Sequence, residues 1–294
     1  MRISSLYQFD SSLSRIRNAQ SEYFNAQKQI STGKRWELGS EDPISASLSL
    51  DSRRLQSRLQ QYQNNLRSAK DYLGNTENIM SETSALVNSA YTTAVQAASG
   101  TNSTEQLNAL ANQVTEMQNR LLSLANSQGS RGQYLFAGHK TDTKPFSQSG
   151  ATLAFAGDNN QIRVETGPGE MISVSLGSPE AFFTDIYNEL ETLKTNIQNG
   201  NLVQLSDQSI AEMQNRVRVI NQTRGDIGTK MQTVEKLEAS NTRRLDDFTK
   251  EISDLEDVDL SEAFVRFQQS ENTYLAALQV TSKGMELSLM DFIR

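Results

Sequence analysis

The distribution of proline is the feature that most restricts how this chain can fold. The 294-residue sequence has four prolines, and none lies within 44–144 or 180–294. Proline ends helices because it lacks a backbone N–H and clashes with the preceding turn. The two long stretches are therefore predicted to form long helices. The segment between them holds the other three prolines and is predicted to be rich in turns.

The first long stretch carries the alternating four-three spacing of a coiled-coil seam, which keeps these side chains on one helical face. The seam consists of Leu48, Ser52, Leu55, Leu59, Tyr62, Leu66, Ala69, Leu73, Thr76, Met80, Thr83, Val87, Ala90, Ala94 and Ala97. We expect this helix to begin at Pro43, behind a cap at Asp42.

Two shorter helices are predicted from their end signals. Ser103 and Gln106 have the spacing of a capping box, which marks the start of the second helix. The third is predicted to begin with Pro179 in its first turn and to end at Gly200.

A fourth helix is predicted over 203–255, with polar Arg224, Glu238 and Asn241 on its apolar seam. Such residues cost stability but can fix the register of a coiled coil. The alternative is that the seam slips locally onto neighbours such as Leu237.

The two ends of the chain carry thin apolar stripes with similar spacing. The N-terminal stripe contains Leu6, Phe9, Leu13, Ile16, Tyr23 and Ile30. The C-terminal stripe contains Phe264, Phe267, Tyr274, Leu278, Met285, Leu289 and Phe292. Neither stripe makes a core alone, so we expect the two helices to pair. The last dozen residues are apolar around the helix, which favours contacts with other subunits over docking on the chain's own domain.

Residues 146–178 change to the period-two pattern of short strands. Leu153 and Phe155, Ile162 and Val164, and Ile172 to Leu176 predict three strands in a meander. The predicted fold class is thus mainly α: an elongated rod of long antiparallel helices with coiled-coil terminal helices and a small β-strand insert.

The sequence offers little for catalysis. His139 is the single histidine and cysteine is absent, so neither a two-histidine metal site nor a thiol nucleophile is available. We predict no enzyme activity, no catalytic or metal-binding residues and no cofactor. The net charge of −7 without a basic patch argues against nucleic-acid and membrane partners.

Several motifs resemble the flagellin family. They are the stretch 29–35 (QISTGKR) followed by Asp42 and Pro43, the acidic run 254–259 and the segment 224–228. The stretch 132–138 (GQYLFAG) and the ending 288–293 are more similar to the hook-associated branch of that family than to filament subunits. The resemblance extends over nearly the whole chain.

The resemblance implies an exported structural protein that assembles as the layer joining the flagellar hook to the filament. It implies an extracellular location in the bacterial flagellum, reached by type III export without a cleaved signal peptide. The implied partners are copies of the chain itself in a head-to-tail layer, hook-associated protein 1, flagellin and a cytosolic export chaperone. The terminal stripes would be assembly seams, with the C-terminal one also bound by the chaperone.

The resemblance also favours a contact role for the loop 33–42. Lys34, Arg35, Trp36 and Asp42 would touch a neighbouring subunit; the alternative is a plain linker in which Trp36 covers the end of the helical body.

Three domains are predicted: a terminal helical pair (1–40 with 258–294), a central helical bundle (41–140 with 179–257) and the β insert (141–178). Two other functions stay open, a minor flagellin of the filament and a cytosolic coiled-coil scaffold.

Overall fold

The computed structural model describes the backbone of residues 2–293 and the side chains of Tyr7 and of residues 10–283. Five of the predicted terminal seam residues therefore lie outside the described side chains: Leu6, Phe9, Met285, Leu289 and Phe292.

Helices make up most of the chain, which confirms the mainly α prediction. They are α1 (Arg2–Thr32), α2 (Pro43–Ala97), α3 (Thr104–Ala125), α4 (Pro179–Gln198), α5 (Leu202–Gln204), α6 (Ile210–Glu256) and α7 (Leu260–Ile293). A π-helical turn, Leu205–Ser209, links α5 to α6.

The predicted end signals of α3 and α4 are confirmed. The backbone N–H of Gln106 donates to the Ser103 hydroxyl at 3.3 Å, and the Ser103 N–H donates to the Gln106 side-chain oxygen at 2.8 Å. These two bonds form a complete capping box. Pro179 occupies the first turn of α4, as predicted.

The prediction of a three-stranded meander is wrong. The insert forms two separate antiparallel hairpins, β1 (Phe146–Ser149) with β2 (Thr152–Phe155), and β3 (Arg163–Gly167) with β4 (Glu170–Ser173). The first strand was missed because its sequence, FSQS, has one apolar residue and shows no alternation.

The chain divides into two compact units, Met1–Arg58 with Arg244–Arg294, and Leu59–Arg243. The three-domain division drawn from the sequence stays a prediction. In the second unit the predicted α2 seam is confirmed, because every seam residue from Leu59 to Ala97 is buried. It packs with the buried faces of α3, α4 and α6 in one hydrophobic core.

Two of the three polar seam residues of α6 form ion pairs with α2. The Arg224 guanidinium lies 2.8 Å from Glu77 on α2, and Glu238 lies 3.7 Å from Lys70 on the same helix. Asn241 is buried, and Leu237 packs against the core from a half-buried position. Ion pairs thus support the interpretation that polar residues fix the register.

Within the second unit, aromatic packing holds the β insert to α4. The ring of Phe183 on α4 lies 4.8 Å from that of Phe136 and 5.4 Å from that of Phe146 on β1. Asn126, just after α3, donates to the Phe146 carbonyl and accepts from its N–H, both at 2.9 Å. These contacts explain why the apolar middle of the segment 132–138 is buried.

In the first unit the predicted α2 seam is wrong at its start. Leu48 and Leu55 are exposed by 50% and 43%, whereas Ser45 and Ser49, which lie off the predicted seam, are buried. The seam residue Ser52 is buried as predicted. The hydrophobic pattern predicted the wrong face of α2 at these positions. The buried face lies against the Glu256 carboxylate, which needs small polar side chains next to it.

Within the part of the chain that the structure describes, no helix is both long enough and apolar enough to span a membrane.

Candidate functional site

The loop between α1 and α2 is tied to the segment between α6 and α7 by a short antiparallel bridge. Gly33, with φ of +68°, ends α1 in the left-handed conformation that glycine tolerates. The Arg35 N–H donates to the Glu256 carbonyl at 2.6 Å, and the Val258 N–H donates to the Gly33 carbonyl at 3.0 Å. The backbone of the loop is therefore fixed within the first unit.

The carboxylate of Glu256 is the centre of this arrangement. Its side chain is only 8% exposed and accepts from the Arg53 guanidinium at 2.7 and 3.0 Å. The Lys34 ammonium donates to it at 3.0 Å, and the Ser49 hydroxyl donates to it as well. A buried carboxylate with several charged and polar donors is held firmly in its charged form.

These donors lower the pKa of Glu256 to about 2, and the hydrogen bonds from Arg53 contribute most. Ser49 and Lys34 add to the effect, while burial opposes it. The pKa of Lys34 is raised in turn by its bonds to Asp257, 2.6 Å away, and to Glu256. The cluster is thus charged throughout the neutral range.

A second group of bonds fixes the end of the loop on α2. The Asp42 carboxylate accepts from the Ser45 N–H at 3.1 Å, which caps the helix as predicted. It also accepts from the Arg35 guanidinium at 3.1 Å. The Ser45 side chain and N–H, with Arg35, lower the pKa of Asp42.

The single tryptophan fastens the middle of the loop. The Trp36 indole N–H donates to the Leu255 carbonyl at 3.0 Å, and the ring is half-buried. On the outer side, Lys28 of α1 lies 3.0 Å from both Glu37 and Glu41. All four predicted loop residues are thus occupied by contacts within the chain, and Leu38 is the apolar loop residue left 59% exposed.

The terminal helices α1 and α7 pack against each other through part of the predicted seams. The ring of Tyr23 lies 5.4 Å from that of Phe267 and 5.9 Å from that of Tyr274. Leu13, Ile16 and Ile30 of α1 are half-buried.

Other predicted seam residues of α7 are exposed. Phe264 and Leu278 are exposed by 53% and 39%, whereas Ala263 is buried. At Phe264 the buried residue is therefore the preceding one, Ala263, so the packed face of α7 is offset there by one residue from the predicted stripe. As a result, part of the stripe remains available on the surface.

Sequence reasoning missed Glu256, Arg53 and Ser49. Charged residues are usually exposed, so the acidic run 254–259 gives no sign that one of its members is buried. The small serines at 45, 49 and 52, spaced four and three apart, were the available signal for a close polar contact. Among the described residues, no group of three or more acidic, His or Cys side chains is arranged to hold a metal ion.

The sequence is similar to that of known flagellar proteins. Residues 3–141 match the family described as the bacterial flagellin N-terminal helical region. Flagellar hook-associated protein 3 of Escherichia coli is 24% identical, covering 98% of both chains. The chain is thus similar to flagellar hook-associated protein 3 over nearly its whole length. The protein of the same name from Salmonella typhimurium is 25% identical, over 96% of this chain and 95% of its own.

Solved structures of similar proteins share the fold. A hook-associated protein from Vibrio parahaemolyticus superposes with a TM-score of 0.68 at 19% identity, covering 74% of this chain and 100% of its own. The FlgL structure from Bacillus cereus gives 0.60 at 21% identity, covering 69% of this chain and 99% of its own. At this level of identity the structures establish the shared fold of these relatives.

Proposed function

We propose that this chain is a structural subunit of the bacterial flagellum, assembled as the layer that joins hook to filament. The observation that carries the proposal is the match to flagellar hook-associated protein 3 over 96–98% of this chain. The match to the flagellin N-terminal helical region supports the same family of assemblies. The proposed role is mechanical, and no enzyme activity is part of it.

The exposed apolar side chains of α7 support an assembly role for the terminal helices. Phe264 and Leu278 lie on the outer face of a helix whose inner face is already paired with α1. Leu260, Val265, Leu275 and Val280 of the same helix are exposed as well, and this much exposed apolar surface on one helix favours a further protein partner. In this proposal an export chaperone covers these residues and the rest of α7 before assembly. In the assembled layer the same residues contact neighbouring subunits.

We propose a modified role for the loop 33–42. Lys34, Arg35, Trp36 and Asp42 hold the loop in one shape through bonds within the chain. A loop fixed in this way can present Leu38 to the next subunit without losing conformational freedom on contact. The proposed contacts are head-to-tail, because unlike faces propagate along a tube rather than closing as a dimer.

The remaining proposals follow from membership of such a layer. Hook-associated protein 1 would lie on the hook side and flagellin on the filament side. The protein would reach this extracellular position through the flagellar export channel without a cleaved signal peptide. The terminal pair, the central bundle and the β insert would be its three functional parts.

Deletion of the gene tests the proposal directly. We expect cells that retain hooks, lack filaments and release flagellin monomer into the medium. Complementation with the intact gene is the control and should restore filaments. Normal filaments in the deletion strain would contradict the junction role and favour a minor flagellin, provided that the protein is found in those filaments. Retention of the protein inside the cell would instead favour the cytosolic scaffold.

A further inference from the structure

The second unit contains a cavity that the proposed junction role does not use. Its volume is about 480 Å³, and it lies among α2, the turns of residues 129–141 and the hairpin of β3 and β4. Small-molecule sites in proteins usually occupy about 300–1,000 Å³. The cavity is thus of a size that takes a small organic molecule.

The floor of this cavity is apolar and aromatic. Leu135 and Val174 are buried beneath it, and Val164 is half-buried beside them. The Tyr72 hydroxyl donates to the Leu135 carbonyl, which fixes the Tyr72 ring in the wall. The Tyr134 ring is half-buried, and within the described part of the chain its hydroxyl makes no hydrogen bond.

The rim supplies polar groups of several kinds. Asp71 and Asn75 come from α2, one turn apart, and Arg131 and Gln133 come from the opposite turn. Among the described residues none of these four side chains has a hydrogen bond or an ion pair. They offer two amides, a carboxylate and a guanidinium to a ligand, so both donors and acceptors are available.

The combination of floor and rim selects among ligand classes. A fully apolar ligand would leave the amides without partners where it excludes water, which costs free energy. A strongly charged ligand would meet one opposite and one like charge, since Asp71 and Arg131 line the same cavity. A neutral sugar ring has apolar C–H faces for the tyrosines and hydroxyls that both donate and accept.

We propose that this cavity binds a neutral carbohydrate. The ring packs on the tyrosine and aliphatic floor, and its hydroxyls bond to Asn75, Gln133 and the two charged rim groups. The assignment rests on the lining of the cavity and does not depend on the junction role.

Ligand-observed saturation-transfer NMR with the full chain tests this assignment. The probes are the methyl glycosides of glucose, galactose, mannose, N-acetylglucosamine and N-acetylgalactosamine, each at millimolar concentration. We expect at least one to receive saturation from the protein. Ser68→Trp places an indole in the mouth of the cavity from an exposed position on α2 and should abolish the signal.

Ser57→Trp is the matched control, because Ser57 is an exposed serine of the same helix away from the cavity. It should leave binding unchanged. Asn75→Ala and Gln133→Ala remove rim amides and should each weaken binding by about tenfold, the effect of one lost hydrogen-bonded group. Circular dichroism would verify that all variants are folded.

Two results would overturn the proposal. One is the absence of saturation transfer for all five glycosides. The other is binding that survives in folded Ser68→Trp and in both amide variants, which would place the sugar elsewhere on the surface.

Discussion

Glu256 links three segments that are far apart in the chain: the loop after α1, the start of α2 and the end of α6. Replacing it with glutamine keeps the shape but removes the charge that Arg53 and Lys34 balance. We expect Glu256→Gln to lower the free energy of unfolding by about 1–2 kcal/mol, discounted because the Arg53 side chain is half exposed. Urea unfolding followed by circular dichroism measures this loss.

The matched control is Glu251→Gln on the same helix. Glu251 is exposed and, among the described residues, has no ion pair, so the change should be within about 0.5 kcal/mol of the unmodified protein. Equal stability of the two variants would show that the buried cluster contributes nothing.

The low pKa of Glu256 gives this cluster a defined pH dependence. The folded-state pKa of about 2 lies below the ordinary value of 4.5, so the unfolded chain takes up the proton first. The contribution of the carboxylate is therefore complete above about pH 4.5 and is lost as the pH falls towards 2. The stability difference between the unmodified protein and Glu256→Gln should shrink over this window in unfolding curves. A difference that stays constant down to pH 2 would contradict the assignment.

At the scale of the elements, the first part of α2 depends on small residues. Ser49 is 1% exposed and lies against the Glu256 carboxylate, so a larger side chain there meets occupied space. Ser49→Leu should destabilise the protein by about 1–3 kcal/mol through overpacking, in addition to the lost hydrogen bond. The thermal unfolding midpoint measures the effect.

Ser47→Leu is the control for that substitution, since Ser47 is exposed on the same helix two residues earlier. It adds the same side chain without crowding the cluster and should leave the midpoint nearly unchanged. A stable Ser49→Leu protein would mean that α2 and α6 can move apart at low cost.

At the scale of the whole molecule, substitutions of the exposed residues of α7 should affect assembly without affecting the folding of the monomer. Replacing Phe264 and Leu278 together with serine should leave monomer stability nearly unchanged, because both are exposed. In the deletion strain this variant should be made normally but fail to support filaments. Motility assays and electron microscopy of the cells measure the outcome.

Phe267→Ser is the contrasting variant on the same helix. Its ring packs against Tyr23, so its loss should lower the stability of the monomer itself. Normal filaments with the Phe264 and Leu278 double variant would show that this face makes no essential contact in the assembled layer.

The elements of this protein were largely predictable from local patterns. Proline-free stretches and heptads placed the long helices, and Ser103 and Pro179 marked the starts of two shorter ones. These signals are local, because capping and periodicity involve residues a few positions apart. The strand β1 escaped detection because four residues with one apolar side chain carry no period.

The candidate site was only partly predictable. The loop residues Lys34, Arg35, Trp36 and Asp42 were found through the family resemblance, and their partners were not. Glu256 lies 222 positions from Lys34 in the chain, and no local pattern connects the two. Likewise, Leu48 and Leu55 fitted the heptad but are exposed, while Ser45 and Ser49, which did not fit it, are buried.

By itself the sequence determined where helices begin and run, that the chain is mainly α, and which family its terminal motifs resemble. Those properties depend on neighbouring residues, whose interactions are encoded within a few positions. Only the tertiary structure decided which face of α2 is buried, which member of the acidic run is buried, and which stripe of α7 stays exposed. Each of these depends on side chains brought together from distant parts of the chain, where burial and pairing outweigh hydrophobic pattern.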